Sequence, residues 1–359
     1  MTGSSWVNGF RYAYQDFPRN AWYVIGFSHE LEEGPLVRRI CGDRVVMFRG
    51  AKGEPVALLD RCPHRAAPLS HGKLAGEGIQ CPYHGIEFGT GGKCLKIPSQ
   101  DRIPDGMRAR SYPIKEVWKW LWIWPGDPAK ADTTLIPDHD GLRLTDKDWY
   151  AVPSFIVPME GSFEMLHENL LDTSHISFLH EGAFDAGAMA GTLARVEVEG
   201  SVIKIWRELM ETATAQTAAS FELVPGRTYR RTLLTEARVP NLEIVTNIFE
   251  DPDGKAPPRI RSSIIGVTPG GPLLCYQINA RTTNYAIPPE LFDIKSEATR
   301  KMTERVLGVI HQDRDMLRTV QQNYNEAGDN LGETSVLADN AAIRFRRLMI
   351  EMIAAERAS

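Results

Sequence analysis

The chain has 359 residues, of which 43% are hydrophobic and 24% are charged, and its formal net charge is −5. This length suits two domains, because single hydrophobic cores stop growing near roughly 250–300 residues. The acidic balance argues against a general nucleic-acid-binding protein. No apolar run approaches the roughly 20 residues of a membrane span, and no signal-peptide pattern is present. Five cysteines without framework spacing suit a reducing compartment, so we expect a cytoplasmic protein.

The first third of the chain has the pattern of short strands. Apolar runs bounded by turn residues stand at 22–27, 38–48 and 55–60. The segment 115–128 carries tryptophans at every second position, which predicts one strand with a tryptophan-rich face. Core packing explains this face better than ligand stacking does. The Pro- and Asp-rich residues at about 125–148 then predict a linker, which places one domain at 1–128 and another at 149–359.

The second part of the chain mixes strand and helix patterns. A strand-like segment at 150–158 precedes a helix that starts near Glu160, and alternating segments predict strands between about 192 and 283. From Pro288 onward the pattern is helical, and the small residues of 182–191 predict a mobile loop. The sequence therefore predicts an α+β protein.

Residues 61–85 concentrate metal-ligating side chains in a turn-rich stretch. The pairs Cys62-x-His64 and Cys81-x-x-His84 can each point at one metal centre from a single loop. Two sulfurs and two nitrogens suit either a tetrahedral zinc site or a Rieske [2Fe–2S] cluster. The mixed loops favour the cluster, because one of its irons takes both sulfurs and the other takes both nitrogens.

The remaining cysteines and one nearby histidine lack this spacing. His71 has no cysteine at ligand distance along the chain, so we interpret it as a solvated loop residue. Cys41, Cys94 and Cys275 are interpreted as ordinary buried thiols.

A second constellation lies in HENLLDTSHISFLH, residues 167–180. Asp172 and His175 are three residues apart, so they can share one helical face. His175 and His180 are five apart, which separates them by about 140° on an unbroken helix. For both histidines to reach one metal, the helix must bend or end between them. A histidine pair at an interface without metal is the alternative.

A third ligand would have to come from elsewhere in the chain. Downstream, Asp313 falls within an apolar helical stripe, whereas Asp315 falls on the opposite face; the stripe consists of Val306, Val309, Ile310, Leu317 and Val320. A carboxylate on a core-facing stripe is costly unless it is paired or bound to metal. A buried salt bridge to an arginine is the alternative. Two histidines and one carboxylate form the facial triad of non-haem Fe(II) oxygenases, so we interpret Asp313 as the third ligand.

These motifs together resemble those of Rieske non-haem iron aromatic oxygenases, in the branch of vanillate O-demethylase and dicamba monooxygenase. The residues that carry the resemblance are Cys62-x-His64, Cys81-x-x-His84, Asn169-x-x-Asp172-x-x-His175-x4-His180 and Asp313. The segments "RNAWYVIG" and "IWPGDPA" extend it over nearly the whole chain. Three features depart from the family pattern: Ile86 replaces an aromatic residue, Gln312 replaces the acidic residue before the third ligand, and glutamines 321 and 322 lie one residue later than expected.

The resemblance implies a fold and a set of cofactors. It implies an N-terminal all-β Rieske [2Fe–2S] domain and a C-terminal catalytic domain whose curved antiparallel sheet wraps on a long helix, as in helix-grip or START-like folds. The cluster would sit on the two Cys–His loops, and mononuclear Fe(II) on His175, His180 and Asp313. O₂ would be the co-substrate, and NAD(P)H would act only through a separate reductase of flavin or ferredoxin type.

The resemblance also implies an assembly and an activity. In a homotrimer, the cluster of one subunit would serve the iron of the next, with Asp172 linking His175 to His84 of the partner subunit. Asn169 belongs to the same catalytic motif, and a simple helix acid is the alternative for Asp172. We expect a terminal monooxygenase component that hydroxylates an aromatic compound or O-demethylates a methoxylated one.

Several other functions stay open. Within the family these are aromatic ring hydroxylation or dioxygenation, and N-demethylation. A function of another class is a Rieske electron carrier with a small-molecule-binding domain that lacks active iron. A zinc-stabilised binding module is a third possibility. The iron content per chain separates the oxygenase from the electron carrier, and a red-brown colour of the purified protein would exclude the zinc-stabilised module.

Overall fold

The computed structural model describes residues 17–180, 188–293, 296–327 and 333–358. The chain forms two compact units. The N-terminal unit comprises Gln15–Pro137 and Thr268–Gly271, and the C-terminal unit includes Asp138–Val267 and Pro272–Ser359.

The N-terminal unit is built of short strands, as predicted. They are β1 (Tyr23–Phe27), β2 (Leu36–Ile40), β3 (Asp43–Arg49), β4 (Pro55–Leu59), β5 (Lys73–Ala75), β6 (Gly78–Gln80), β7 (Glu87–Phe88), β8 (Cys94–Lys96), β9 (Ile114–Val117) and β10 (Trp120–Ile123). Three small sheets result, with strand orders β1-β10-β9, β2-β3-β4 and β5-β6-β7-β8. The β2–β3 turn places Cys41 and Gly42 at φ of 48° and 86°. Two consecutive positive φ angles are typical of a two-residue hairpin turn whose twist matches that of the flanking strands.

The tryptophan-rich segment forms a hairpin, so the single strand expected over 115–128 is wrong. Trp118 and Lys119 connect β9 to β10, and Trp118 adopts a φ of 57°. Trp120 and Trp122 do share one face of β10, with ring centroids 5.8 Å apart and edge to face. Both side chains are fully buried, which confirms core packing for these two residues.

The C-terminal unit combines one large sheet with helices, which confirms the α+β class. Its elements are β11 (Tyr150–Met159), α1 (Phe163–Leu171), α2 (Ile176–Leu179), α3 (Ala188–Gly191), β12 (Arg195–Glu199), β13 (Val202–Thr212), α4 (Ala215–Phe221), β14 (Thr228–Arg238), β15 (Leu242–Glu250), β16 (Arg259–Gly271), β17 (Leu274–Thr283), α5 (Glu297–Ala327) and α6 (Asn340–Ala358). The seven strands follow the order β11-β17-β16-β15-β14-β13-β12. The strands predicted between 192 and 283 are all within this antiparallel sheet.

One side of the large sheet carries α1. Glu243 Oε1 of β15 lies 2.7 Å from His167 Nδ1 of α1. On β17, the sulfur of Cys275 lies 3.8 Å from the carbonyl oxygen of Ser162, just before α1. Side chains alternate across a strand, so the odd-numbered residues of β15 and β17 project to this side. We call it the helix-facing side of the sheet.

Serine caps set where two helices begin, and both begin later than expected. The hydroxyl oxygen of Ser162 accepts a hydrogen bond from the Met165 N–H at 3.2 Å, so α1 starts after Ser162. Ser296 caps α5 in the same way, through the Thr299 N–H at 3.0 Å. Of the expected mobile loop, residues 182–187 lie outside the described residues, and the rest is α3. None of the helices in the described ranges is long and apolar enough to cross a membrane.

A glycine between β7 and β8 allows a close backbone approach. Gly92 has a φ of 74°, and a Cβ atom there would lie 2.0 Å from the carbonyl oxygen of Ala109. We expect Gly92→Ala to lower the free energy of unfolding by about 2 kcal/mol or more, measured by chemical denaturation. Gly91→Ala is the matched control, because its Cβ would meet nothing within 4 Å. Equal losses in both variants would contradict the expectation.

Candidate active site

Two loops of the N-terminal unit share one backbone hydrogen-bond frame. They begin at Cys62 and Cys81. In each, the cysteine N–H donates to the carbonyl five residues on, and the N–H four residues on donates back to the cysteine carbonyl, at 2.8–3.1 Å. The residue four positions on is Ala66 or Gly85, with φ of 57° and 68°. A left-handed alanine is strained, so the surrounding contacts hold this frame in place.

The four ligand candidates of these loops separate into two layers. Cys62 and Cys81 are each only 2% exposed and belong to the hydrophobic core of the N-terminal unit. His64 and His84 are exposed, and their ring centroids lie 4.6 Å apart. A sulfur layer inside and an imidazole layer outside fit a two-iron cluster with sulfur and nitrogen on different irons.

The sulfur of Cys62 has a buried, hydrogen-bonded environment. Burial raises the pKa of Cys62 to about 11; the adjacent Cys81 thiol adds to this, while the N–H groups of His64 and Arg65 oppose it. Backbone N–H groups aimed at a sulfur stabilise a thiolate once a cation is present. This donor set therefore fits the cluster.

The other cysteines and His71 behave as predicted. Cys41, Cys94 and Cys275 are buried and form no disulfide with a described residue, as expected for ordinary thiols. His71 ends a short 3₁₀ turn and is exposed, as expected for a solvated loop residue.

Three side chains of the C-terminal unit converge at one point. The ligand atoms of His175, His180 and Asp313 all lie within 4.8 Å of one another. The Nε2 atoms of His175 and His180 lie 3.5 and 3.1 Å from Asp313 Oδ1. His175 immediately precedes α2 and His180 immediately follows it. The two histidines therefore flank a single helical turn, and the helix ends before His180. This arrangement meets the requirement set by their five-residue spacing.

The connection between α1 and α2 differs from expectation. Asp172 ends α1 with an extended backbone (φ −95°, ψ 101°), so Asp172 and His175 do not share a helical face. Asp172 Oδ1 accepts a hydrogen bond from the Ser174 N–H at 2.8 Å. His175 Nδ1 donates to the backbone carbonyl of Asp172, not to its carboxylate. This bond fixes the tautomer and leaves the Nε2 lone pair free on the side of Asp313.

Two amide side chains complete the polar surroundings. His180 Nδ1 lies 2.9 Å from Gln312 Oε1, so Nδ1 donates and Nε2 faces Asp313. Asn169 Nδ2 donates to Asp313 Oδ1 at 3.2 Å. Gln312, a departure from the family pattern, thus supplies an acceptor without adding a second negative charge.

Asp313 occupies the inward face of α5, as the apolar stripe indicates. Its side chain is 13% exposed, whereas that of Asp315 is 49% exposed and pairs with arginines 314 and 318. Within the described residues, the polar partners of Asp313 are His175, His180 and Asn169, and none is an arginine.

The two imidazoles respond differently to this carboxylate. Burial lowers the pKa of His175, and the attraction of Asp313 does not fully offset it. Burial also acts to lower the pKa of His180, but its contacts with Asp313 and Gln312 outweigh burial, and the pKa is raised. Asp313 therefore stabilises positive charge at His180 more effectively than at His175.

A buried arginine that sequence patterns missed anchors the α1–α2 connection. Arg207 of β13 donates from Nε to Thr173 Oγ1 at 2.8 Å and from Nη1 to the Thr192 carbonyl. Burial lowers its pKa, and the Asp172 carboxylate opposes that effect. The available signal was its place two residues after Ile205 in the alternating strand, on the buried face.

The combination of a cluster-type β unit and a two-histidine, one-carboxylate site defines the class of Rieske non-haem iron oxygenases. Comparison with protein families matches residues 21–113 to the Rieske [2Fe-2S] domain. It matches residues 159–355 to the vanillate O-demethylase oxygenase C-terminal domain. The second match covers more than half of the chain, which therefore belongs to the family of vanillate O-demethylase-type Rieske oxygenase components.

Individual relatives agree with this family. Over 184 residues (51% of this chain and 52% of the relative), the identity is 41% to the oxygenase component of dicamba O-demethylase from Stenotrophomonas maltophilia. Over 189 residues (53% and 54%), it is 35% to that of chloroacetanilide N-alkylformylase from Rhizorhabdus wittichii. The chain spans about half the length of the curated relatives it matches.

Solved structures agree over nearly the whole chain. Dicamba monooxygenase bound to 3,6-dichlorosalicylic acid gives a TM-score of 0.84 at 26% identity, covering 96% of this chain and 100% of that one. Another structure of that enzyme contains non-haem iron. For this chain, the family match itself identifies a Rieske [2Fe–2S] domain over residues 21–113.

The electrostatics of the triad can be tested in the iron-free protein. Asp313→Asn removes the charge that outweighs burial at His180, so the pKa of His180 should fall and its titration should move to lower pH. NMR titration of the His180 ring protons measures the midpoint. Asp315→Asn, on the solvent-facing side of the same helix, should leave it unchanged. An unshifted midpoint in Asp313→Asn would contradict the assigned cause.

Proposed function

We propose that this protein is the terminal oxygenase component of a monooxygenase that uses O₂ to O-demethylate or hydroxylate an aromatic substrate. The observation that carries the proposal is the convergence of His175, His180 and Asp313 in a chain that also holds the two Cys–His loops. When bound, the cluster supplies single electrons and the mononuclear iron supplies oxygen activation. The match to dicamba O-demethylase supports O-demethylation, and the match to an N-alkylformylase keeps N-dealkylation as the second candidate.

We assign the cluster to Cys62, His64, Cys81 and His84. The assignment is supported by the common loop frame, the inner sulfur layer and the outer imidazole layer. Electrons would come from a separate reductase of flavin or ferredoxin type, and the exposed imidazoles give such a partner access to the cluster edge.

We assign the mononuclear iron to Nε2 of His175, Nε2 of His180 and the carboxylate of Asp313. Hydrogen bonds from both Nδ1 atoms hold the rings with their lone pairs inward. Asn169 holds one oxygen of Asp313, which limits rotation of the carboxylate. Three protein ligands leave open positions for O₂ beside the substrate.

We further propose a cytoplasmic homotrimer in which Asp172 couples His175 to His84 of the partner subunit. Asp172 touches His175 through its carbonyl, and its Oδ2 has no hydrogen-bond partner in the described part of the chain. His84 is exposed, so its ring is accessible to a second chain. The carboxylate would accept a hydrogen bond from that ring and fix its tautomer.

The mononuclear site is tested by Asp313→Ala. We expect loss of one iron per chain and of product formation, with an unchanged cluster EPR signal, because the cluster ligands lie in the other unit. Wild-type protein should hold about three irons per chain, and a pure electron carrier about two. Asp315→Ala is the matched control and should keep the full iron content. If Asp315→Ala lost the iron and Asp313→Ala kept it, the ligand assignment would be wrong.

The cluster is tested by Cys81→Ser. We expect this variant to lose the Rieske EPR signal of the reduced protein, because a hydroxyl is a poor ligand for cluster iron. Cys94→Ser changes a cysteine of the same hydrophobic core that stands outside the two loops, and it should retain the signal. A Rieske EPR signal of full intensity from Cys81→Ser would contradict the assignment of the cluster ligands.

A further inference from the structure

We infer that Arg261 and Arg281 form a subsite for an oxyanion on the aromatic substrate, either a carboxylate or a sulfonate. This inference deepens the proposed function and rests on it for the aromatic nature of the substrate. The contacts, the charges and the place of the two residues in the sheet carry it.

Both arginines lie on the helix-facing side of the large sheet. Arg261 pairs with Asn247 across β15 and β16, and Asn247 stands four residues from Glu243, which contacts α1. Arg281 stands six residues from Cys275, which contacts the start of α1. Even separations along a strand keep side chains on one face. The two guanidinium groups therefore project into the layer between the sheet and the helices.

Neither guanidinium is neutralised by an acid among the described residues. Arg261 donates from Nη1 to the carbonyl of Ser220 at 3.2 Å, and its Cζ lies 3.8 Å from the ring centroid of Phe221. The Nε atom of Arg281 is buried without a hydrogen-bond partner. A partly buried cation without an acid partner is costly to the fold, so an exchangeable anion is the expected counter-charge.

The neighbouring Arg231 is a structural arginine on the same face, and its guanidinium has polar partners. Its Nη1 lies 2.6 Å from Glu211 Oε2, and its Nη2 lies 2.7 Å from Asn247 Oδ1. Burial, together with the charges of Arg281 and Arg231, lowers the pKa of Arg261 to about 10. Arg261 therefore stays positively charged at neutral pH, close to the positive charges of Arg281 and Arg231.

Asn279 adds a further donor to the subsite. It stands two residues before Arg281 on β17, hence on the same face, and it is 4% exposed. Its Nδ2 atom has no hydrogen-bond partner within the described residues. Two unpaired N–H donors on adjacent same-face positions match the two oxygens of a carboxylate or sulfonate.

The sheet register relates this subsite to the metal centre. Residues paired in succession across four strands are Arg207, Leu233, Asn247 and Arg261. Three strand spacings put the backbones of Arg207 and Arg261 about 14 Å apart. Arg207 in turn binds Thr173, two residues before His175. The length of one arginine side chain plus one substituted benzene ring is comparable with that separation.

Binding of three probes to purified holoenzyme tests the subsite without turnover. The probes are 4-methoxybenzoate, 4-methoxybenzenesulfonate and the neutral 4-methoxybenzamide, titrated by calorimetry. We expect at least one anion to bind about tenfold or more tightly than the amide. The stronger anion identifies carboxylate or sulfonate as the natural group. Equal binding of all three, or no binding of any, overturns the inference.

Substitutions then locate the effect. Arg261→Met and Arg281→Met should each weaken binding of the preferred anion by about 10- to 100-fold and change amide binding by less than about twofold. Arg230→Met, an exposed neighbour of Arg231, is the matched control and should change neither. Should a methionine variant fail to fold, Arg261→Gln and Arg281→Gln provide the same comparison.

Stability separates a binding role from a structural one. Because an unpaired buried charge opposes folding, Arg281→Met should keep or raise the thermal unfolding midpoint of the ligand-free protein. A lowered midpoint with unchanged anion binding would make the arginine structural and overturn the inference. Iron content and the cluster EPR signal should match wild type in every variant. A negative result for the anion subsite would therefore not contradict the proposed oxygenase function.

Discussion

The buried carboxylate of Asp313 is the constraint on which the catalytic unit depends. Burying this charge on the inward face of α5 would oppose folding if nothing compensated for it. Two imidazoles and the Asn169 amide supply that compensation through their contacts with the carboxylate. The hydrogen bonds to Nδ1 of both histidines then orient the rings around this charge. Because no arginine neutralises it within the described residues, the site keeps a negative charge available for a cation.

Much of the site follows from spacing along the chain, because the physics involved is local. A cysteine and a histidine one or two residues apart must share a loop, and a carboxylate in an apolar stripe must face the core. Those rules led from sequence alone to the two loops and to Asp313. The expected α+β class rested on strand and helix periodicity, which is also local.

Other features depend on tertiary contacts that periodicity does not contain. Asp172 and His175 were expected on one helical face, but α1 ends at Asp172, next to a connection held by Arg207. The tryptophan segment turns back at Trp118, where alternation alone favoured a continuous strand. Arg261 and Arg281 resemble solvent-facing arginines until strand register assigns them to the helix-facing side.

The distribution of charge in the C-terminal unit has a kinetic consequence. The whole chain carries a formal charge of −5, yet the helix-facing side of the sheet holds guanidinium groups, those of Arg261 and Arg281, that no acid of the described ranges neutralises. Gln312 adds no negative charge to this side, whereas an acid at that position would. An anionic molecule approaching from solution would thus meet repulsion outside and attraction inside. Salt screens exposed charges far more than buried ones, so moderate ionic strength would speed entry of such a molecule without weakening its retention to the same degree.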